Sequence, residues 1–183
     1  MAFRSKTLGI CMFLPALRII VETDIFKTCS RSFLAMTIAD LLALKPDTNL
    51  TVLNKPLTYV GTCTLALDGD GERSWLYGED GEVIAVSVDD EEMIFFEAID
   101  EELEPADGMV LYRGNEFEFS YEDAGAVTNV TGKVETEEDD RYGFSDYESD
   151  EGRVVRFVTN ENTGEIRAYF GVIAGEDDIT LAA

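Results

Sequence analysis

The stretch Leu57-Thr58-Tyr59-Val60-Gly61-Thr62-Cys63-Thr64-Leu65-Ala66-Leu67 sets apolar residues at odd positions against threonines at three of the five even ones. A repeat of two is the period of a strand with one face buried, so Leu57, Tyr59, Gly61, Cys63, Leu65 and Leu67 share a core face. Thr58, Thr62 and Thr64 share the other face. Cys63 therefore reads as a core residue. A nucleophilic role would need a base to make the thiolate, and the chain contains no histidine.

Downstream the same grammar continues. Short β-prone runs occupy Ser74–Tyr77, Val83–Val88, Met93–Ile99, Val110–Tyr112, Glu116–Tyr121, Ala126–Val134, Tyr142–Tyr147, Arg153–Thr159 and Ile166–Ile173. Between them lie turn signals: Asp70-Gly71, Asp80-Gly81, Arg113-Gly114-Asn115, Glu151-Gly152 and Thr163-Gly164. About ten short strands with tight turns predict a mainly β fold of antiparallel meanders closing into a barrel or a sandwich. Upstream, Thr37-Ile38-Ala39-Asp40-Leu41-Leu42-Ala43-Leu44 predicts one short N-terminal helix. Thr37 can cap it, Asp40 suits the positive end of the macrodipole, and Lys45-Pro46 ends it. Its expected role is to cover an open edge or end of the sheet.

Two stretches are weakly alike. Asp80–Asp89 and Glu151–Asn160 each run from an acidic turn through a β segment to a polar exit, and each follows an aromatic strand. Two readings are open: two similar β modules, 50–99 and 109–181, meeting near Pro105, or hairpin grammar shared without common descent.

Charge divides the chain sharply. Residues 1–35 are basic, while residues 36–183 hold 36 Asp and Glu against 9 Lys and Arg, a net charge near −27. Residues 1–35 read as a leader outside the folded domain, with a loosely docked arm or a membrane-targeting segment as alternatives. Met36 reads as a start followed at once by structure. The apolar run of residues 1–35, Leu8–Leu17, is too short to span a bilayer. Residues 36–183 read as a single acidic domain, large enough to bury ~68–70% of its unfolded surface without metal or disulfide.

In the second half, Tyr112-Arg113-Gly114-Asn115-Glu116-Phe117-Glu118-Phe119 is followed by Gly132-Lys133-Val134, Tyr142-Gly143-Phe144-Ser145-Asp146-Tyr147-Glu148, Glu161-Asn162-Thr163-Gly164-Glu165, Ala168-Tyr169-Phe170-Gly171 and Asp178-Ile179. This order resembles the bacterial family known as domain of unknown function 4178, over roughly residues 50–181. The resemblance implies a β-rich domain without an assigned activity, and it carries over no catalytic residues.

Chemical motifs are few. Asp68-Gly69-Asp70-Gly71-Glu72 resembles the start of a calcium loop, but Arg73 stands where that loop needs glycine, so the segment reads as an acidic hairpin tip. Glu97 is unusual in alternating with Met93, Phe95 and Ile99, which puts it on a rim or beside an arginine. A strongly negative domain repels nucleic-acid phosphate and anionic membrane, and without imidazole the usual general base is missing. The leading expectation is a cytoplasmic, non-enzymatic domain that takes no metal or cofactor. It would bind a protein partner with a basic surface through Trp75, Tyr142, Phe144 and Tyr147 exposed among acidic loops. The alternatives are a nucleic-acid mimic, which needs rows of carboxylates spaced like phosphates, and a carboxylate-dependent hydrolase, which needs acids converging on a pocket.

Overall fold

The computed structural model describes residues 35–182. Helix α1 (Ile38–Leu42) begins as its sequence predicts. Thr37 Oγ1 accepts from the Asp40 amide at 3.2 Å, and the Asp40 carboxylate accepts from the Thr37 amide at 3.2 Å. Such a reciprocal cap is worth about 1 kcal/mol. Eleven strands accompany it: β1 (Thr48–Val52), β2 (Lys55–Leu67), β3 (Glu72–Gly78), β4 (Val83–Ser87), β5 (Glu92–Ala98), β6 (Met109–Tyr112), β7 (Asn115–Gly132), β8 (Arg141–Glu148), β9 (Arg153–Asn160), β10 (Ile166–Ile173) and β11 (Ile179–Leu181).

Eight of these strands close into an antiparallel barrel in the order β2-β3-β4-β5-β10-β9-β8-β7, with β7 returning to β2. The fold is therefore a barrel of two meanders, β2–β5 and β7–β10. They meet first strand to first strand and last strand to last strand. The two similar stretches of sequence lie on β4 and β9, the third strand of each meander, and the aromatic runs before them lie on β3 and β8. Glycine makes the closing seam. Gly61 stands opposite Gly132, and a methyl group on either would run into the backbone carbonyl of Thr131 or Val60. The five glycines of the predicted turns, Gly71, Gly81, Gly114, Gly152 and Gly164, all adopt the left-handed conformation that glycine occupies without strain.

Three apolar clusters follow from the alternation. One fills the barrel with Cys63, Leu65, Trp75, Ala85, Phe96, Val127, Phe144 and Val154. A second lies outside the first meander, where α1, β1 and β11 cover Leu76, Ile84, Val86 and Phe95. The third lies outside the second meander, where β6 covers Phe117, Tyr147, Val155 and Phe157. The odd residues of β2 from Leu57 to Leu65 are buried as predicted and Leu67 is half-buried, yet they serve two cores. Leu57 and Tyr59 belong to the cluster beneath α1, Cys63 and Leu65 to the barrel, and a bulge lies between Tyr59 and Gly61.

The structure corrects several expectations. Glu116–Tyr121 and Ala126–Val134 are parts of one strand, because Glu122–Gly125 stay paired with β8. Strands β1 and β11 were not among the expected strands, and they pair with each other. Glu97 does sit on a partly exposed rim, but its partner is Lys55 at 2.5 Å and not an arginine. The fold engages the chain from Ala35, which bridges to Thr180, and Met36 is buried. The expectations for residues 1–34 lie outside the described residues. No described helix is long and apolar enough to cross a membrane.

Candidate functional site

Strands β8 and β9 place Asp146 directly opposite Arg156, with both side chains inside the barrel. Arg156 Nε donates to Asp146 Oδ1 at 2.6 Å and Nη2 donates to Oδ2 at 2.7 Å. The guanidinium lies 4.5 Å from the Phe96 ring centre and 4.9 Å from that of Phe144. Both charged residues are 6% exposed. A charge so buried persists when it is paired and hydrogen-bonded, and here the fork of Arg156 meets the carboxylate in the bidentate geometry that favours it. Arg156 lines a cavity on either side of itself, so it divides the barrel interior into two ends.

At the end formed by the β3–β4 and β9–β10 turns lies a cavity of about 560 Å³ whose walls include Trp75, Tyr77, Phe96, Tyr142, Val158 and Tyr169. Trp75 meets Tyr142 edge-on at 5.7 Å and Phe144 at 6.1 Å. A chain of polar contacts crosses the wall. The Tyr77 hydroxyl lies 3.4 Å from Cys63 Sγ and 3.5 Å from Thr136 Oγ1, Thr136 lies 3.2 Å from the Tyr142 hydroxyl, and Asn160 Nδ2 donates to that hydroxyl at 3.4 Å. Burial pushes the Cys63 thiol up to about 11 and raises Tyr77 and Tyr169 as well, so this wall is uncharged at neutral pH. At the rim, Arg167 donates to Glu165 at 2.8 Å. Two buried polar atoms near this end have no hydrogen-bond partner: Trp75 Nε1 and, on the β3–β4 turn, Glu82 Oε2.

The opposite end is chemically different. Its cavity, of about 530 Å³, is lined by Asp70, Glu72, Asp89, Asp90, Glu92 and Glu148 around Arg73. Asp90 accepts from Ser87 at 2.7 Å and from Arg73 at 2.9 Å, which together hold its carboxyl below the usual range. Three of these acids stand on turns and three at strand ends, and all but Glu92 are exposed. A hydrolytic carboxylate pair needs one acid in apolar surroundings that keep it protonated, whereas the buried acid here, Asp146, is committed to Arg156. The calcium-like segment is the β2–β3 hairpin tip, with Asp68 held by Arg141 at 2.6 Å. Among the described residues, no group of three or more Cys, Asp or Glu is arranged to hold a metal ion.

The aromatic residues singled out from sequence are therefore not an exposed patch. Trp75, Phe144 and Tyr147 are 4%, 4% and 8% exposed, and Tyr142 is half-buried. The reason is strand alternation: on β8, Tyr142 and Phe144 point into the barrel while Tyr147 points outward beneath β6, against Phe119 and Phe157. Two of the four, Trp75 and Tyr142, do converge on the first cavity, and Phe144 packs against Trp75 inside the barrel. Arg156, Asp146, Tyr77, Thr136 and Tyr169 were not foreseen as site residues. A signal for Arg156 was present, since it alternates with Val154 and Val158 on an otherwise apolar strand face. Compared with protein families, curated proteins and solved structures, the chain shows no significant match to any of them.

Proposed function

We propose that this protein is a binding barrel without turnover of its own, holding a small, flat, largely apolar molecule in the aromatic end of its interior. One observation carries the reading: the eight-stranded barrel keeps, beside Arg156, a cavity of about 560 Å³ walled by Trp75, Tyr77, Tyr142 and Tyr169. Ligand sites favour barrel mouths, span roughly 300–1,000 Å³ and combine apolar walls with a few placed polar groups. A cytoplasmic setting belongs to the same proposal, being consistent with the free thiol of Cys63. So does membership of the domain of unknown function 4178 family, which implies no activity in conflict with it.

Trp75 is the single tryptophan of the chain, so its emission reports on the cavity directly. Titration with N-phenyl-naphthylamine should quench Trp75 by energy transfer in a saturable one-to-one manner. Val158→Phe, which fills part of the cavity, should weaken that binding at least about ten-fold, the equivalent of about 1.4 kcal/mol. Failure to saturate, or a Val158→Phe variant that binds as well as the parent, would overturn the reading.

Protein binding is the second reading, now without the four aromatics as its surface. It is favoured by Met109 and Leu111, which share the outward face of β6 and are 41% and 66% exposed. The net charge near −27 of residues 36–183 points to a basic partner, whose association should weaken with salt. Capture of such a partner at ~0.1 M but not ~0.5 M salt, and its loss in Leu111→Asp, would support this reading.

A further inference from the structure

We infer that the outward face of the β6–β7 hairpin docks a partner segment in which basic and apolar residues lie side by side; this rests on the protein-binding reading above and names its partner. The turn sets the register. Arg113 and Gly114 both adopt left-handed backbone, at φ 49° and 79°, and this two-residue turn pairs Tyr112 with Asn115, Leu111 with Glu116, Val110 with Phe117 and Met109 with Glu118. Cross-strand partners point to the same face, and neighbours along a strand to opposite ones. Val110, Tyr112 and Phe117 are buried in the third apolar cluster, so Met109, Leu111, Glu116 and Glu118 turn to water, and all four are exposed. An apolar row thus lies beside an acidic row.

Nothing on this face balances the acids. Glu118 stands directly opposite Glu148 across the β7–β8 pairing, where like charges repel. Among the described residues, Glu116, Glu118 and Glu148 form no ion pair. The hairpin's one cation, Arg113, is turned to the inner face, 5.0 Å from the Tyr112 ring centre and 5.8 Å from that of Phe170. The loop leading into β6 adds Asp100, Glu101, Glu102, Glu104 and Asp107. The edge is open too, since β6 is the last strand of the sheet and carries neither the lysine nor the proline that commonly blunts such an edge. Bonded and non-bonded pairs alternate from the turn, so Leu111 directs its amide and carbonyl away from β7, on the side where Met109 meets Ala106 at 2.9 and 2.8 Å. A second copy of this chain is a poor occupant, because the matching face would bring the same acids together. A basic and apolar segment covers Met109 and Leu111 and relieves the repulsion beside them.

The probe is a dye-labelled peptide of leucine and lysine alone, read by anisotropy against the full chain, beside a counterpart with glutamine for every lysine. At ~0.1 M salt the lysine peptide should bind at least about ten-fold tighter than the glutamine one, and ~0.5 M salt should remove most of that advantage. Leu111→Ser, and the pair Glu116→Gln with Glu118→Gln, should each weaken the lysine peptide at least about five-fold. Glu137→Gln with Glu138→Gln removes the same charge from the β7–β8 loop and should change its affinity less than about two-fold. Equal losses from the two charge pairs would show attraction to overall charge and overturn the docking face. Equal affinity of the two peptides, still lost in Leu111→Ser, would keep protein binding at β6 and overturn the basic partner. An unchanged affinity in Leu111→Ser would overturn β6 as the protein-binding surface, and with it the reading beneath this inference.

Discussion

The two ends of the barrel differ more than their volumes suggest. Cavities of about 560 and 530 Å³ open on either side of Arg156, yet one is walled by five aromatic side chains and the other by carboxylates on turns and strand ends. The same eight strands supply both. The difference comes from where along each strand a residue falls: Tyr77 and Tyr169 lie near the first end, while Glu92 and Glu148 terminate strands at the second. Arg156 makes the contrast possible by joining Asp146 and both rings, so that neither end opens freely into the other. A single buried ion pair thus lies between an aromatic end and an acidic end of one small barrel.

The strongest challenge to this division is Arg156→Met. It leaves the Asp146 carboxylate buried without a partner, and denaturant unfolding should show a loss of about 3–5 kcal/mol. Adding Asp146→Leu should restore most of that loss, because an apolar pair of similar volume removes the stranded charge. A single substitution costing under about 1 kcal/mol would mean that water reaches the pair, and the two ends would then be one cavity.

Gly171→Ala acts on the same partition from β10. A methyl group there runs into the Phe96 ring, which lies against Arg156. Overpacking should cost about 1–3 kcal/mol and should weaken probe binding at the aromatic end as Phe96 shifts. If thermal melts and N-phenyl-naphthylamine affinity both stay unchanged, Phe96 does not form the wall described.

Alkaline pH should separate the ends next. The Cys63 thiol is raised from 9.0 to about 11 by burial, so the folded state holds a proton that the unfolded chain releases. Its contribution is fully present below about pH 9 and is lost as pH rises toward 11. Tyr77 is shifted in the same direction. Thermal midpoints measured across that window should fall, and Cys63→Val should reduce the slope. An unaltered slope in Cys63→Val would show that the thiol is not desolvated.

The acidic end should answer to salt, with the smallest effect of the four. Raising salt to ~0.5 M screens repulsion among its carboxylates, and the melting temperature should rise. The gain should shrink in Glu72→Gln, which removes one charge from that end, and should be the same with sodium as with calcium at matched ionic strength. A large gain specific to micromolar calcium would point instead to a metal site there.

Much of the fold was legible because strand pattern and turn chemistry are local. The alternation of Leu57–Leu67, the glycine turns and the Thr37–Asp40 cap depend on neighbours within a few residues, and each formed as read. The site was less legible. Period two says that Tyr142 and Phe144 share a face and that Tyr147 takes the other, but not which faces are covered. In this protein both are, one by barrel closure and the other by β6.

From its residues alone this chain specified a histidine-free, acidic, mainly β domain with a capped helix before its strands, since composition and short-range periodicity need no partner to be expressed. Closure of β7 onto β2 is a long-range event, joining Gly61 to Gly132 across the seam. It is that event which turned one strand face inward, brought Asp146 and Arg156 into a shared interior, and gathered Trp75 from the first meander with Tyr142 and Phe144 from the second. No local pattern encodes which distant strands will meet, because burial there is the summed preference of many residues and not the property of any short stretch.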